Sequence, residues 1–599
     1  MNNYEVPEPI LNSPYHEPAL HWNIEEGASP EKRSGRRPAG YFYRDPKAPA
    51  SDSEHDARGT WEELRLVNLI RERVKQWRSQ NYPGVTRTTL DLLNYWQRDG
   101  RQHRLFFTQI EAAEAIIFLN EARADFRQGI EVPLDEPGDD AKAKGIRAFR
   151  RYACKMATGA GKTTVMGMVA AWSILNKVND RSDGRFSDTV LIVCPNVTIR
   201  NRLGELHPEA GEASLYRTRD LVPEHLMADL TKGRVVVTNW HVFEPQSVQT
   251  GGTGARVIKA GVRVVRRETV VIGSKTTKAR GRRYLTPAAL AAMEAAGKLR
   301  VTDRMHDAEG NLVKVEIEAE DYVESDTAVV NRVIGKEVGG KQNILLFNDE
   351  AHHAYRILNE RPDAWDFLDE DERASWLADR KEATVWVEGL DRIHKLRGMN
   401  FCVDLSATPY FLGRVGQQTN RTFPWVVSDF GLTDAIESGL TKIPQLVVRD
   451  TTGDPVPSYF NIWRWILTKL TPSERGGRKA NPKPEAVLKY AATPILMLAG
   501  LWEELRAEWE RDRVGDPRPP VFIIVCKNTK IAEVIYKWLG ENDPPSGIPP
   551  AKIAGFVNTE EHKNTIRVDS KVVAETDTGE AKSDESAWMR LTLDTVGKT

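Results

Sequence analysis

Cysteine is scarce in this chain: Cys154, Cys194, Cys402 and Cys526 are the only four in 599 residues. That spread makes no disulfide framework, and no pair has the spacing of zinc ligands. Each lies in or beside an apolar segment that reads as a core strand, so the four are expected to be small buried hydrophobes in a reducing compartment. No apolar run approaches the roughly 20 residues that a spanning helix requires, so no membrane partner is expected. The polar start Met1-Asn-Asn-Tyr-Glu is unlike a signal peptide, and the expected location is cytoplasmic. An excess of one charge is also missing. Lys and Arg number 84 against 85 Asp and Glu, a formal net charge of −1. This excludes a global basic coat and leaves any nucleic-acid affinity to local patches.

What is present is concentrated in two segments. Lys155-Met-Ala-Thr-Gly-Ala-Gly-Lys-Thr-Thr164 directly follows the apolar-ending Phe149-Arg-Arg-Tyr-Ala-Cys154. A strand, a glycine-rich turn and a helix from Val165 form a triphosphate cradle. Gly159 and Gly161 let the backbone of Thr158 to Thr164 wrap an anion with its N–H groups, Ala160 included. The helix N-terminus adds its dipole, Lys162 reaches the β/γ-phosphates, and the Thr163 hydroxyl binds Mg²⁺. Met156 stands where the strict pattern has glycine, and a Gly-Lys-Thr triplet also suits an ordinary turn before a helix. The second segment is the apolar run Asn343-Ile-Leu-Leu-Phe347, which leads into Asn348-Asp349-Glu350-Ala351-His352-His353. Carboxylates at the end of a parallel strand sit where open α/β sheets bind ligands. There Asp349 would hold Mg²⁺ and Glu350 would orient and deprotonate water, although an acidic first turn of a helix reads the same way.

Taken together these residues resemble a known family. Ala157 to Thr163 is similar to motif I of superfamily 2 helicases and translocases, and Asp349-Glu-Ala-His352 to their DEAH box. The strand-like Phe401 to Leu405 leads into Ser406-Ala-Thr-Pro-Tyr410, which resembles motif III. The resemblance implies that His352, Ser406 and Thr408 couple nucleotide state to DNA grip. Leu191 to Leu203 and Arg234 to Asn239 resemble motifs Ia and Ib, and the placement of Gln109 before a helical pattern implies a hydrogen bond to adenine. Gly35-Arg-Arg-Pro-Ala-Gly-Tyr41, Phe423 to Gly431 and Ala435 to Pro444 narrow the likeness to the helicase subunit of type III-like restriction endonucleases. The implied fold is an α/β, RecA-like parallel-sheet P-loop motor domain with a helical N-terminal region and an incomplete second RecA-like domain. The implied activity is ATP hydrolysis with Mg²⁺ on duplex DNA, with a methyltransferase/specificity subunit as partner. Two other readings share these motifs: a non-hydrolysing, ATP-gated DNA-binding scaffold, and an RNA-stimulated NTPase.

Along the chain, residues 1–60 lack periodicity and read as an extended arm, and 61–99 as helical, interrupted at Tyr82-Pro83-Gly84. The first motor domain is expected over 100–445, a linker over 446–485, and the start of the second motor domain over 486–599, opening on a strand at Pro520 to Cys526. An insertion of about 245–340 is too long for one connection. Within it, residues 256–283 carry ten Lys or Arg against the single acid Glu268. Val262 to Ile272 alternates as a hairpin would, so Arg263, Arg266 and Arg267 are candidates for a basic flap on DNA phosphates; a solvated charged loop has the same composition. No motif V or VI occurs before Thr599, which implies a chain truncated within the second motor domain, binding ATP better than it hydrolyses it. No Asp…Glu-x-Lys nuclease constellation is found, and Asp543-Pro-Pro-Ser546 lacks the aromatic of an amino-methyltransferase loop.

Overall fold

Runs rich in Val, Ile, Leu and Phe without polar alternation favour strands covered on both faces, and several of them pair into one six-stranded sheet here. The structure is a computed structural model that describes residues 6, 8–24, 29–43, 59–246, 261–273, 284–295, 299–307, 310–357, 370–411, 420–442, 462–475, 482–512, 520–560 and 562–568. Its strands in chain order are β1 (Leu20–Asn23), β2 (Glu31–Ser34), β3 (Gly40–Tyr43), β4 (Thr60–Glu63), β5 (Arg151–Met156), β6 (Thr189–Cys194), β7 (Arg234–Asn239), β8 (Gly261–Ile272), β9 (Tyr284–Leu285), β10 (Leu299–His306), β11 (Leu312–Glu324), β12 (Ile344–Asp349), β13 (Met399–Ser406) and β14 (Val426–Phe430). The six-stranded sheet has the order β14-β5-β13-β12-β6-β7, and every pairing in it is parallel. All residues of β5, β6, β12, β13 and β14 are buried. This is an α/β fold, and its register aligns the strand ends that carry the motifs. Asp349 lies opposite Leu405, and Ser406 opposite Lys155.

The chain divides into two compact units. The larger comprises Met1–Pro195, Arg202–Leu358 and Arg380–Thr441; the smaller comprises Asn196–Asn201, Asn359–Asp379 and Lys442–Thr599. In the larger, helices Arg65–Ser79 and Arg87–Gln97 flank the turn at Tyr82 to Gly84. The helix Phe107–Glu121 is almost entirely buried and lies against the helix Lys162–Asn179 and β14. Helix Lys162–Asn179 begins at Gly161 and buries Val165, Met168, Val169 and Trp172. No helix of the described residues is long and apolar enough to cross a membrane.

Four expectations change. The described residues of the arm form strands: β1 pairs with β2 and β3 with β4, and Trp22, Ala39 and Tyr41 are buried. Its anchors Glu437 and Asp429 lie about 400 residues away, so local composition carried no sign of them. The basic stretch Gly261–Ile272 pairs antiparallel with β11 rather than folding back on itself. The linker contributes to a core, because helix Ile462–Lys469 buries Ile466 beside Leu488, Ile495, Trp502 and Trp538 of the smaller unit. Pro520 to Cys526 is not assigned as a strand, because it forms no backbone ladder among the described residues.

Candidate functional site

The phosphate loop leaves β5 at Met156 and re-enters regular structure at Lys162. Gly159 and Gly161 take φ of +86° and +88°, a left-handed conformation that favours glycine. Ala160 and Thr164 N–H groups bond to the loop carbonyls of Ala157 and Gly161. The N–H groups of Thr158, Gly159, Gly161, Lys162 and Thr163 have no backbone acceptor among the described residues. An open set of donors at a helix N-terminus suits an oxyanion. This donor set, with the Lys162 ammonium beside it, fits a polyphosphate.

Gln109 lies against the glycine-rich loop. Its Oε1 accepts from Phe106 N at 2.9 Å and its Nε2 donates to Ala160 O at 3.3 Å. The side chain is buried, and a Cβ on Gly161 would lie 2.0 Å from Nε2. Both ends of the amide are therefore engaged, and Gln109 props the phosphate loop from beneath.

Asp349 closes β12, and Glu350 follows it with φ of +50°, a conformation uncommon outside glycine. That turn brings the Glu350 carboxylate onto Lys162 Nζ in an ion pair. Asp349 is buried, and burial lifts its pKa from 3.8 to about 6; the Glu350 charge adds to the rise and Lys162 opposes it. His352 Nδ1 lies 2.9 Å from Ser406 Oγ and 3.5 Å from Glu350 Oε2. Burial, together with neighbouring His353, lowers the His352 pKa to about 4, so the imidazole is neutral at ordinary pH. Ser406 Oγ also accepts from Thr408 N at 3.0 Å, and a hydroxyl can make that bond while sharing a proton with Nδ1. The residues named from the two segments and from Ser406-Ala-Thr408 thus form one chain of contacts: Lys162, Glu350, His352, Ser406 and the Thr408 backbone. The Thr408 side chain stands exposed beyond it.

Beneath this chain lies a support that the motifs did not reveal. Arg151 of β5, fully buried, donates to both oxygens of Asp404 of β13 at 2.8 and 2.9 Å, and to Asp135 at 2.9 Å. Asp404 also accepts from Trp425 Nε1 and Asn348 Nδ2. Asn348 Oδ1 accepts from Trp386 Nε1 at 2.9 Å, so the residue preceding Asp349 is held on both sides. Arg151 reaches Ala354 O, and Arg356 makes a bidentate pair with Asp391, which pins the turn after Glu350. A charged residue inside an apolar strand run was the available signal, since such residues are almost never fully buried unless paired.

Arg263 and Arg266 of β8 lie opposite Tyr322 and Ala319 of β11, and Arg267 lies opposite Glu318. β11 also carries Glu316, Glu320, Asp321 and Glu324. By register the basic strand runs alongside one rich in acidic residues. The basic residues at 256, 259, 275, 278, 280, 282 and 283 lie outside the described residues. No family model, curated protein or solved structure matches this chain.

Proposed function

We propose that the chain is a nucleoside-triphosphate-driven motor of the superfamily 2 type. On this reading it is a DNA-stimulated ATPase acting as the helicase or translocase portion of a type III-like restriction system, with a methyltransferase/specificity subunit as partner. The observation that carries the reading is the contact chain from Lys162 through Glu350 and His352 to Ser406, which links three separate strand ends at one edge of a parallel sheet. Ligands of open α/β sheets bind at that edge. ATP and Mg²⁺ fit the residues present: the free N–H groups of the loop and Lys162 would hold phosphate, and Thr163 and Asp349 the metal. When bound, the metal supplies charge neutralisation at the transferring phosphoryl group.

Lys162 is engaged by Glu350 in this structure. An entering triphosphate competes for the ammonium and releases the carboxylate. Glu350, freed, is then positioned to orient water and accept its proton. His352, neutral and joined to Ser406, passes the displacement of Glu350 to β13 and the turn beyond it.

The test is binding of a fluorescent ATP analogue beside DNA-stimulated phosphate release. Lys162→Ala is expected to lose both. Glu350→Gln is expected to keep or tighten binding, because the competing charge is gone, while release falls by a factor on the order of 10² or more. Binding unaffected by Lys162→Ala would overturn the nucleotide site. Release from wild type that duplex DNA does not raise, but RNA does, would reassign the polymer.

A further inference from the structure

Segments singled out by sequence, Gly35 to Tyr41, Phe423 to Gly431 and Ala435 to Pro444 (described as far as residue 442), have no part in the contact chain above, yet the structure brings them together beside the glycine-rich loop. The consecutive residues Arg36 and Arg37 reach to opposite sides. Arg36 makes a bidentate pair with Glu111, two residues beyond Gln109 on the same helix. Arg37 Nη2 donates to Glu437 Oε1 at 2.5 Å. Glu437, with its side chain 4% exposed, is a hub for the arm. Its carbonyl accepts from Leu11 N at 2.7 Å and Asn12 N at 2.9 Å, and its Oε1 accepts from Trp22 N at 3.0 Å.

From Glu437 the chain runs to the loop within four residues. A Cβ on Gly439 would sit 3.6 Å from Ile10. A Cβ on Gly159 would sit 3.7 Å from Leu440 O. Thr441 Oγ1 donates to Thr158 O at 3.5 Å, and Ala157 N donates to Phe430 O at 2.9 Å. At the start of that segment, Gly40 N donates to Asp429 Oδ2 and Arg36 to Asp429 O, both at 3.3 Å. On the other side, Phe107 N donates to Pro14 O at 2.8 Å, which anchors the helix whose Gln109 props Ala160.

We propose that the N-terminal arm is an integral part of the phosphate site: Arg36 and Arg37 clamp its two walls, and Arg37 and Glu437 are positioning residues for Thr158 to Gly161. The inference rests on the nucleotide reading given above. The donors of an anion nest act together only while their backbone geometry is held. Loosening the Glu437 wall frees Thr158 and Gly159 and spreads the donors.

The experiment measures the Kd of a fluorescent ATP analogue and hydrogen exchange of the full chain for wild type, Arg37→Ala, Arg37→Lys, Thr441→Val and the exposed control Arg33→Ala. Arg37→Ala is expected to weaken binding about tenfold, with exchange rising in residues 157–161 and little elsewhere. Arg37→Lys, which keeps a cation near Glu437, should recover part of the loss. Thr441→Val leaves the ionic cluster intact and is expected to weaken binding about threefold, so the idea stays testable if Arg37→Ala does not fold. Arg33→Ala should match wild type. Affinity of both Arg37→Ala and Thr441→Val within twofold of wild type would overturn the proposal, as would an exchange increase spread evenly over the chain. Absence of nucleotide binding by wild type would instead overturn the reading on which it rests.

Discussion

The Nδ1 atom of His352 and the Oγ atom of Ser406 lie 2.9 Å apart, joining the end of one strand to the end of its parallel neighbour. Ser406 accepts from the Thr408 backbone and shares a hydrogen bond with His352 Nδ1. Removing the hydroxyl by Ser406→Ala leaves that half-buried imidazole nitrogen without its partner, at a stability cost of roughly 1–3 kcal/mol. On the proposed reading, nucleotide affinity is expected within about twofold of wild type while DNA-stimulated release falls about tenfold or more. Equal losses in binding and release would show that the pair only stabilises the fold.

Asp349 ties pH to both metal and stability. Its pKa is raised to about 6 by burial, so the nucleotide-free fold favours the protonated carboxyl. That stabilising contribution is full below 3.8 and is lost as pH rises through about 6. Asp349→Asn, which mimics the neutral form, is expected to raise the melting temperature at pH 8 and to change it little under acid. The gain is at most roughly 3 kcal/mol. Metal-dependent nucleotide binding should weaken below about pH 6, approaching tenfold per pH unit, and the Asn variant should lose that dependence. A melting temperature at pH 8 unchanged by Asp349→Asn would contradict the buried, perturbed carboxyl. Since His352 is already neutral above about 4, no inflection from it is expected near its ordinary value.

The Arg151–Asp404 pair offers a purely structural check. Both side chains are fully buried, and each satisfies several partners. Asp404→Asn keeps the shape but strands a buried guanidinium charge against the remaining Asp135. Breaking one partner of a buried pair costs about 3–5 kcal/mol, measurable as a shift in chemical denaturation midpoint. Because Asn348 and Trp425 both bond Asp404, the loss should also loosen the Asp349 strand end, seen as faster hydrogen exchange at Asn348 to Ala354. A variant as stable as wild type would show that the network is dispensable.

Contiguous structure was legible in the sequence. The glycine-rich loop and the Asp349-Glu350 turn each lie within a few residues, and they follow strands of the parallel sheet that sequence placed before them. What escaped was long-range pairing. Arg151 and Asp404 are 253 residues apart, and Arg37 and Glu437 are 400 apart. No local pattern couples such positions. The same limit explains the arm, whose Pro- and Arg-rich composition reads as unstructured until its acidic partners are in view. It also explains why the pairing of β8 with the distant β11 was not foreseen. The bonds of Gln109 to Phe106 N and Ala160 O were not foreseen, because sequence shows which groups an amide can bond but not which of them are nearest.

Alternate residues of Pro520 to Cys526 make a last distinction between pattern and packing. Phe522, Ile524 and Cys526 pack against the apolar core of the smaller unit, whereas Val521, Ile523 and Val525 are 80%, 78% and 91% exposed. Sequence alone reads the segment as a strand covered on both faces, so it assigns Ile523 and Ile524 the same cost on substitution. The structure separates them. Ile524→Asp is expected to destabilise the unit by roughly 1.5–3 kcal/mol through lost burial. Ile523→Asp should stay within about 0.5 kcal/mol of wild type and reduce self-association by breaking an exposed apolar row. Denaturant midpoints for the two variants, measured beside light scattering, provide the check. Equal destabilisation would mean that the Ile523 face is covered in solution.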